Sequence, residues 1–234
     1  MAEEDVPKHI VIIPDGNRRW AKAHGVPELE GHRVGIDLLR SVADWCREFG
    51  VRTITFWGFS RENFMRSEKE VKGLMALFER KFDEFRDKSE IHKNKIRVRF
   101  FGRLDLLPKK LQEQLRGIEK ETENYSDYYV NILLAYGGRQ ELVDAVNAVI
   151  ADAKAGKLAA VDEKALSRYM YMQELPDPDL VIRTSGEQRL SGVLPWHSGY
   201  SELYFCPKLW PDFTKEDFKA ALDEFARRKR RFGK

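Results

Sequence analysis

The chain has 234 residues, a length that predicts one domain spanning residues 1–234. Hydrophobic residues make up 42% of it, enough for a buried core, and the 34% of charged residues indicate a solvated surface rather than disorder. Because 41 basic side chains oppose 38 acidic ones, the net charge of +3 argues against a general nucleic-acid binder, and any anion site must be local.

In chain order, strand-like runs fall at 9–13, 53–59, 96–101, 129–135, 179–183 and 202–205. Helical patterns fall at 29–49, 68–93, 108–124, 139–155, 162–172 and 215–231, the last capped by Thr214. Alternating strands and helices are typical of βαβ units. The sequence therefore predicts an α/β fold: a single domain with a central parallel sheet of about six strands flanked by helices.

Cys46 and Cys206 form no Cys-x-x-Cys pair, which argues against a disulfide scaffold and a structural zinc site. Residues 1–7 are short and acidic, unlike a signal peptide, and no stretch reaches the roughly 18 apolar residues that a membrane span needs. We therefore expect a cytoplasmic protein.

Polar clusters follow four of the predicted strands. They are 15–20 after the first strand, 60–64 after the second, 137–139 after the fourth and 183–189 after the fifth. Because open parallel sheets bind ligands beyond the carboxyl ends of their strands, we expect these clusters to converge on one site.

The first cluster combines groups that suit a metal and a phosphate. Asp15 is a hard oxygen ligand for Mg²⁺, and Gly16 lets the backbone approach a ligand closely. The amides from Gly16 to Arg19 can hold phosphate oxygens, while Arg18 and Arg19 add charge-assisted donors. Taken alone, the cluster is equally compatible with an ordinary Asp-Gly-Asn turn and solvated arginines.

The cluster after the fifth strand places Arg183, Arg189 and Ser191 within nine residues of a glycine-containing loop. This spacing suits a diphosphate, which needs donors from several directions. The alternative is a surface loop in which Glu187 pairs with an arginine. Glu202, at the start of the last strand, is either a second metal ligand or a strand-edge charge, and its spacing does not decide between them.

Common alternative motifs are missing from the sequence. It contains no Gly-x-x-x-x-Gly-Lys-Ser/Thr loop, no Gly-x-Gly-x-x-Gly, no His-Glu-x-x-His and no Gly-x-Ser-x-Gly. It also lacks Asp-Asp-x-x-Asp, the paired-carboxylate signature of trans-type prenyl synthases. Diphosphate and Mg²⁺ would thus be handled by one aspartate and many donors.

The ordered motifs resemble those of the cis-prenyltransferase family, of the undecaprenyl diphosphate synthase type. They are HIVIIPDGNRRWA at 9–21, GHRVG at 31–35, FSRENF at 59–64 with Arg66, YGGR at 136–139, DPDLVIRTSGEQRLS at 177–191, Tyr204-Phe205 and LWPDF at 209–213. The resemblance implies an enzyme that condenses isopentenyl diphosphate with an allylic isoprenyl diphosphate in cis configuration, releasing diphosphate.

The resemblance implies two adjoining diphosphate sites, with these residue roles. Asp15 would bind Mg²⁺ and assist departure of the allylic diphosphate, which Gly16, Asn17, Arg18, Arg19, His32 and Arg66 would hold. Arg183, Arg189 and Ser191 would hold isopentenyl diphosphate, with Glu202 near the metal. Ser60, Glu62 and Asn63 would line the reacting region, where Asn63 would help to remove the proton. Further substrate-binding residues would be Trp20, Arg61, Phe64 and Leu190.

The resemblance also implies an apolar product tunnel and a homodimer in which Arg231-Phe232-Gly233 reaches the partner's site. Peripheral membrane contact would follow from the lipid product, and no nucleic acid is expected. The helix at 68–93 would form a tunnel wall, where Phe78, Phe82 and Phe85 either narrow the tunnel or pack in the core. For any one of these rings core packing is the commoner role, and a longer product from Phe82→Ala is expected if Phe82 is the tunnel floor.

Four residues depart from the family pattern, which usually has Met at Pro14, Gly at Arg18, Arg at Glu28 and Trp at Phe64. Glu28 replaces an arginine that contacts the allylic diphosphate, and we hypothesise that Arg18 compensates. The stretch 195–199 also differs from the bacterial pattern.

Three other functions compete with this one. A non-catalytic partner subunit would be expected to lose Asp15, Arg19 or the Arg183 and Arg189 pair, all of which are present. A nucleic-acid binder would rest on the basic run 227–231, which the helix dipole also explains. A prenyltransferase with a non-standard primer or acceptor remains open.

Overall fold

The computed structural model describes residues 6–86 and 89–228 of the chain. Within them, six strands form one parallel sheet in the order β3-β4-β2-β1-β5-β6. The strands are β1 His9–Ile13, β2 Thr53–Ser60, β3 Ile96–Phe101, β4 Tyr128–Tyr136, β5 Leu180–Arg183 and β6 Glu202–Phe205. The predicted single α/β domain with a parallel sheet is confirmed.

Helices flank this sheet. They are α1 Asn17–Ala23, α2 Glu28–Glu48, α3 Glu68–Arg86, α4 Ser89–Lys93, α5 Lys109–Thr122, α6 Gly138–Lys154, α7 Glu163–Ser167 and α8 Lys215–Arg227. Short 3₁₀ helices occur at Arg61–Met65, Leu104–Leu106 and Trp210–Asp212. Thr214 caps α8 as predicted, in a reciprocal pair with Asp217. No helix among the described residues is long and apolar enough to cross a bilayer.

Three predicted helices end differently. The pattern at 68–93 forms α3 and α4, separated by residues that are not described. The helix predicted at 162–172 stops at Ser167, because the amide of Tyr171 donates to the Glu141 carboxylate instead of to a helical carbonyl (2.9 Å). The helix predicted at 215–231 ends at Arg227, since Arg228 is extended, and residues 229–231 lie outside the described part.

The sheet buries residues on both of its faces. Because side chains alternate along a strand, Ile10 and Ile12 join the larger core cluster with α2, α3, α5 and α8. Val11 and Ile13 face the other way and pack in a smaller cluster with Val193 and Leu194. All of β1 is buried, which explains why its sequence is an uninterrupted apolar run.

The register of β1 and β5 determines where the polar clusters meet. Ile13 is level with Arg183, so Asp15 leaves β1 just beyond the end of β5. The clusters at 60–64 and 137–139 follow β2 and β4 at the same edge of the sheet. As predicted, the carboxyl ends of the strands gather these clusters.

Candidate active site

Asp15 and Arg183 face each other across the ends of two neighbouring strands. The Arg183 Nη2 donates to Asp15 Oδ2 (2.7 Å), and its Nη1 donates to Ser191 Oγ (2.9 Å) and to the Arg189 carbonyl. The Arg183 side chain is only 5% exposed and its buried Nε has no hydrogen-bond partner among the described residues, whereas Asp15 is 33% exposed. A buried guanidinium thus holds a carboxylate that remains accessible.

The backbone after β1 is fixed by segments from the far end of the chain. The Asp15 carbonyl accepts from Thr184 Oγ1 (2.7 Å) and from the Trp210 amide (3.0 Å). Gly16 has φ +113°, and a Cβ there would lie 3.0 Å from Leu209. Only glycine fits this turn without strain, which accounts for the Asp-Gly pair.

Asn17 begins α1 and explains the glycines of α2. A Cβ at Gly31 would lie 2.3 Å from the Asn17 carbonyl oxygen, and one at Gly35 would lie 2.1 Å from Asn17 Oδ1. Asn17 Nδ2 donates to the Pro14 carbonyl (3.0 Å), while Oδ1 is buried without a hydrogen bond. Helix α2 therefore packs directly on the first turn of α1.

Arginines surround the opening beside α1, and acidic residues neutralise them. Arg18 Nε lies 3.0 Å from Glu28 and 3.9 Å from Glu70, and Arg66 Nη1 lies 3.0 Å from Glu70. The Glu28 and Arg18 departures from the family pattern are thus an ion pair.

The alternative for the cluster after the fifth strand, a surface loop in which Glu187 pairs with an arginine, is also present in part. Glu187 pairs with Arg189, and Arg19 Nη2 lies 3.6 Å from Glu187 and 3.2 Å from the Ser185 carbonyl oxygen. Arg183 instead points to Asp15 and Ser191. The cluster therefore contains both a surface ion pair and a buried donor.

His32 is a half-buried neutral base beside these arginines. Burial, followed by the charge of Arg66, lowers the pKa of its imidazole to about 4. Its Nε2 is buried and makes no hydrogen bond within the described chain. A ligand reaching His32 would meet an unsatisfied polar atom.

Ser60 and Asn63 cap each other at the end of β2. Asn63 N donates to Ser60 Oγ (3.2 Å), and Ser60 N donates to Asn63 Oδ1 (3.0 Å). This reciprocal cap fixes the 3₁₀ helix Arg61–Met65. Arg61 pairs with Gln140, and Phe64 packs edge-on against Phe59 (4.9 Å between ring centroids).

A cavity of about 520 Å³ joins these groups. At its polar end it is lined by Asp15, Gly16, Asn17, Arg18, Arg19, His32, Ser60, Glu62, Asn63, Arg66, Arg183 and Ser191. Its apolar lining comes from Ile36, Leu39, Phe56, Phe59, Leu74, Phe78, Phe82, Phe85, Ile91, Ile96, Val130, Ile132 and Leu134. Residues of three predicted polar clusters, those after β1, β2 and β5, therefore share one cavity with the aromatic residues of α3, whereas none of 137–139 lines it.

Five other predicted binding residues lie outside this lining: Trp20, Arg61, Phe64, Arg189 and Leu190. Trp20 donates to Asp212 (2.7 Å) and stacks on His24 instead. Conversely, no pattern in the sequence predicted a set of charged residues on α2, α3 and α4 that also line the cavity: Asp37, Arg40, Asp44, Arg47, Lys81, Glu84 and Glu90. Helical patterns show only that such residues face away from the core.

Glu202 does not join Asp15 within the chain. It pairs with Leu180, which is level with Ile10, so Glu202 lies at the amino end of the sheet, about 16 Å from Asp15 along the strands. Its carboxylate binds Arg228 (3.0 Å). Of the two readings, the strand-edge charge describes Glu202 in this chain better than the metal ligand beside Asp15.

The chemistry of Asp15 fits a magnesium ion bound together with substrate. Among the described residues, no group of three or more His, Cys, Asp or Glu side chains could hold a metal ion. Mg²⁺, however, typically takes one or two carboxylates, several waters and substrate phosphates. An accessible Asp15 beside a cavity lined by arginines meets that requirement.

Known proteins share this sequence and fold. Residues 13–233 match the Prenyltransf family model of undecaprenyl diphosphate synthases. The chain is 45% identical to the tritrans,polycis-undecaprenyl-diphosphate synthase (geranylgeranyl-diphosphate specific) of Methanocaldococcus jannaschii, covering 99% of this chain and 84% of that protein. It is 46% identical to the enzyme of the same description from Thermococcus kodakarensis, covering 98% and 88%.

Solved structures agree. Lavandulyl diphosphate synthase from Lavandula x intermedia, in complex with dimethylallyl diphosphate, matches with TM-score 0.93 and 33% identity, over 99% of this chain and 100% of that one. A probable undecaprenyl diphosphate synthase from Campylobacter jejuni matches with TM-score 0.80 and 31% identity, over 97% and 99%. The chain belongs to the undecaprenyl diphosphate synthase family and is a cis-prenyltransferase.

Proposed function

We propose that this enzyme condenses isopentenyl diphosphate with an allylic isoprenyl diphosphate in cis configuration and releases diphosphate. The observation that carries the proposal is the cavity, whose lining combines Asp15 and Arg183 with many apolar and aromatic side chains. Such a cavity suits a ligand with a diphosphate head and a hydrocarbon tail.

Geranylgeranyl diphosphate is the proposed primer, and an undecaprenyl-length diphosphate is the proposed product. Support comes from the relatives in Methanocaldococcus jannaschii and Thermococcus kodakarensis, whose descriptions specify that primer and that product. The aromatic residues of α3 that line the cavity would contact the growing chain, which makes the apolar part a product tunnel.

The allylic diphosphate would bind beside α1. The amides from Gly16 to Arg19 open that helix, where partial positive charge favours anions. Arg18, Arg19 and Arg66 supply donors, and the unsatisfied Nε2 of His32 supplies another polar contact. Isopentenyl diphosphate would bind at Arg183, Arg189 and Ser191 on the neighbouring strand end.

The reaction breaks the carbon–oxygen bond of the allylic diphosphate and forms a carbon–carbon bond to isopentenyl diphosphate, which then loses a proton. Donors aimed at the departing diphosphate stabilise the transition state more than the ground state. Mg²⁺ held by Asp15 would neutralise charge on that diphosphate. The capping bond from Ser60 holds the amide of Asn63, our candidate for assisting proton removal, beside the cavity.

We further propose a homodimer and peripheral contact with membranes through the lipid product. The segment Arg231-Phe232-Gly233, assigned above to the partner's site, lies outside the described residues. Of the basic run 227–231, Arg227 and Arg228 are both paired with Glu224, which weakens the case for a nucleic-acid site.

Incubation with radiolabelled isopentenyl diphosphate, Mg²⁺ and a panel of allylic primers tests the proposal. We expect label in long prenyl products, with geranylgeranyl diphosphate preferred over shorter primers. Asp15→Ala should lower incorporation by roughly 100-fold or more, as loss of a group that stabilises developing charge does. Asp152→Ala, which removes a surface carboxylate bound to Tyr169, is the matched control.

Two results would contradict the proposal. No incorporation with any primer would contradict the proposed reaction, and full activity of Asp15→Ala would contradict the assignment of the site. Product formed from dimethylallyl diphosphate alone would instead favour the non-standard acceptor, the alternative suggested by the likeness to lavandulyl diphosphate synthase.

A further inference from the structure

The loop after β5 contains backbone conformations that side chains rarely adopt. Ser185 has φ +82°, Ser191 has φ +51° and Leu194 has φ +44°. Each such residue costs roughly 1 kcal/mol or more, and persists only where its surroundings hold it. Ser191 is the residue that accepts the hydrogen bond from Arg183 (2.9 Å). Something outside the loop must therefore keep Ser191 in place.

A chain of buried hydrogen bonds from β4 and α6 reaches this loop. The Leu194 amide donates to Tyr136 Oη (3.1 Å), and the Tyr136 hydroxyl donates to Glu141 Oε2. The other carboxylate oxygen of Glu141 accepts from the Tyr171 amide (2.9 Å). Tyr136, Glu141 and Leu194 are all fully buried, so no water replaces a lost bond at low cost.

Close packing supports the same anchor. A Cβ at Gly138 would lie 2.2 Å from the Gly192 carbonyl oxygen and 2.3 Å from Pro195 Cδ. The loop therefore rests directly on the first turn of α6, and only a glycine there leaves room for it. Burial raises the pKa of the Tyr136 hydroxyl, which keeps it protonated and able to donate to Glu141.

We propose that Tyr136 and Glu141 are positioning residues for the second diphosphate site: they hold the loop at Leu194 so that Ser191 and the Arg189 backbone meet Arg183. Neither residue lines the cavity, so both act through the loop. The inference rests on the proposed function, in which this loop binds isopentenyl diphosphate. The first residue of the YGGR motif at 136–139, together with Glu141, thereby gains a role distinct from direct ligand contact.

Tyr136→Phe tests the proposal, because it removes one hydroxyl and little volume. We expect the KM for isopentenyl diphosphate to rise about tenfold, the effect of one hydrogen bond, while the KM for the allylic primer stays within twofold. Hydrogen exchange of the Leu194 amide should accelerate in the same variant. Tyr169→Phe, which loses a surface hydrogen bond to Asp152 (2.9 Å), is the matched control and should change neither.

The outcomes separate this inference from the proposed function. Equal rises in both KM values, or an unchanged KM for isopentenyl diphosphate, would overturn the positioning role while leaving the function intact. If the wild-type enzyme incorporates no label, the proposed function fails, and unaltered Leu194 exchange in Tyr136→Phe would reject the anchor as well. Should that variant not fold, Glu141→Gln provides the same comparison, with a smaller expected shift because an acceptor oxygen remains.

Discussion

Arg18 and Glu28, two residues that depart from the family pattern, are linked in the folded chain. Their ion pair of 3.0 Å is half exposed on both sides. Exposed pairs contribute little to stability, because water screens them and their side chains lose freedom. An arriving diphosphate can therefore draw Arg18 away from Glu28 at low cost, which gives the compensation hypothesis a physical basis.

We expect Arg18→Gly to raise the KM for the allylic primer about tenfold and to leave the KM for isopentenyl diphosphate unchanged, since one charge-assisted hydrogen bond is lost at one site. Steady-state kinetics with each substrate varied in turn measures both values. Lys22→Gly, in the same helix but exposed, controls for the lower helix propensity of glycine. An unchanged primer KM for Arg18→Gly would refute the compensation.

Helix α3 connects the core of the molecule to the apolar part of the cavity. Leu74, Phe78 and Phe82 belong to the larger core cluster and also line the cavity. Phe82 meets Phe100 edge-on, with 5.1 Å between ring centroids, and is 8% exposed. The sequence left open whether these rings pack in the core or narrow the tunnel; in the structure they both pack in the core and line the cavity.

Phe82→Ala should lengthen the product by one or more five-carbon units, because removing the ring opens space along the proposed tunnel. Product sizes are read by chromatography after complete extension of geranylgeranyl diphosphate. Phe225→Ala, in α8 and buried in the same cluster but absent from the cavity lining, controls for general loss of packing. The same product distribution in wild type and Phe82→Ala would show that Phe82 is not the floor.

At the scale of the whole molecule, a buried polar network joins three neighbouring strands at the centre of the sheet, β1, β2 and β4. His9 Nδ1 is 2.7 Å from the Pro176 carbonyl oxygen, which only accepts, so the ring must donate from Nδ1. Its Nε2 then accepts from Thr55 Oγ1 (2.8 Å), which also accepts from Asn131 (3.1 Å). Burial lowers the pKa of His9 to about 4, so the neutral ring is favoured in the folded state.

This network makes stability depend on pH. In the unfolded chain this histidine has an ordinary pKa of about 6.5, so it is protonated at pH values at which folded His9 is still neutral. The stability that His9 contributes is therefore complete above pH 6.5 and declines as the pH falls toward 4. At pH 5 the loss from His9 is about 2 kcal/mol. Urea unfolding at pH 7.5 and pH 5 should show a loss of stability that is about 2 kcal/mol smaller in His9→Gln than in wild type, because His32, whose pKa is also lowered to about 4, still contributes in the variant.

The comparison with the variant is needed because Glu141 and Glu119 act in the opposite direction. Burial raises the pKa of both carboxyls, so their contribution to stability improves as the pH falls. His24→Gln, at the exposed residue that follows α1, serves as the control and should keep the wild-type pH dependence. Equal pH dependence in wild type and His9→Gln would contradict the prediction.

Local pattern was sufficient for the sheet and for most of the site. The strand boundaries agree within one residue because most strands are largely buried apolar runs between turn residues, and β3 alternates apolar and basic residues. Long-range contacts account for the errors: the Glu141 carboxylate ends the helical path near Tyr171, and the parallel register separates Glu202 from Asp15. The charged residues of α2, α3 and α4 that line the cavity were not predicted, because a helical pattern cannot show what the polar side of a helix faces.

The closure of the Asp15 loop by Thr184 and Trp210 has a consequence for biosynthesis. During translation, Asp15 leaves the ribosome well before Thr184 or Trp210 has been synthesised. Arg183, which directly precedes Thr184, is likewise synthesised long after Asp15. The loop cannot adopt its folded shape until β5 and the 3₁₀ helix Trp210–Asp212 have folded onto β1. Under the proposed function, a nascent chain that ends before Trp210 therefore lacks the arrangement that would ionise an allylic diphosphate.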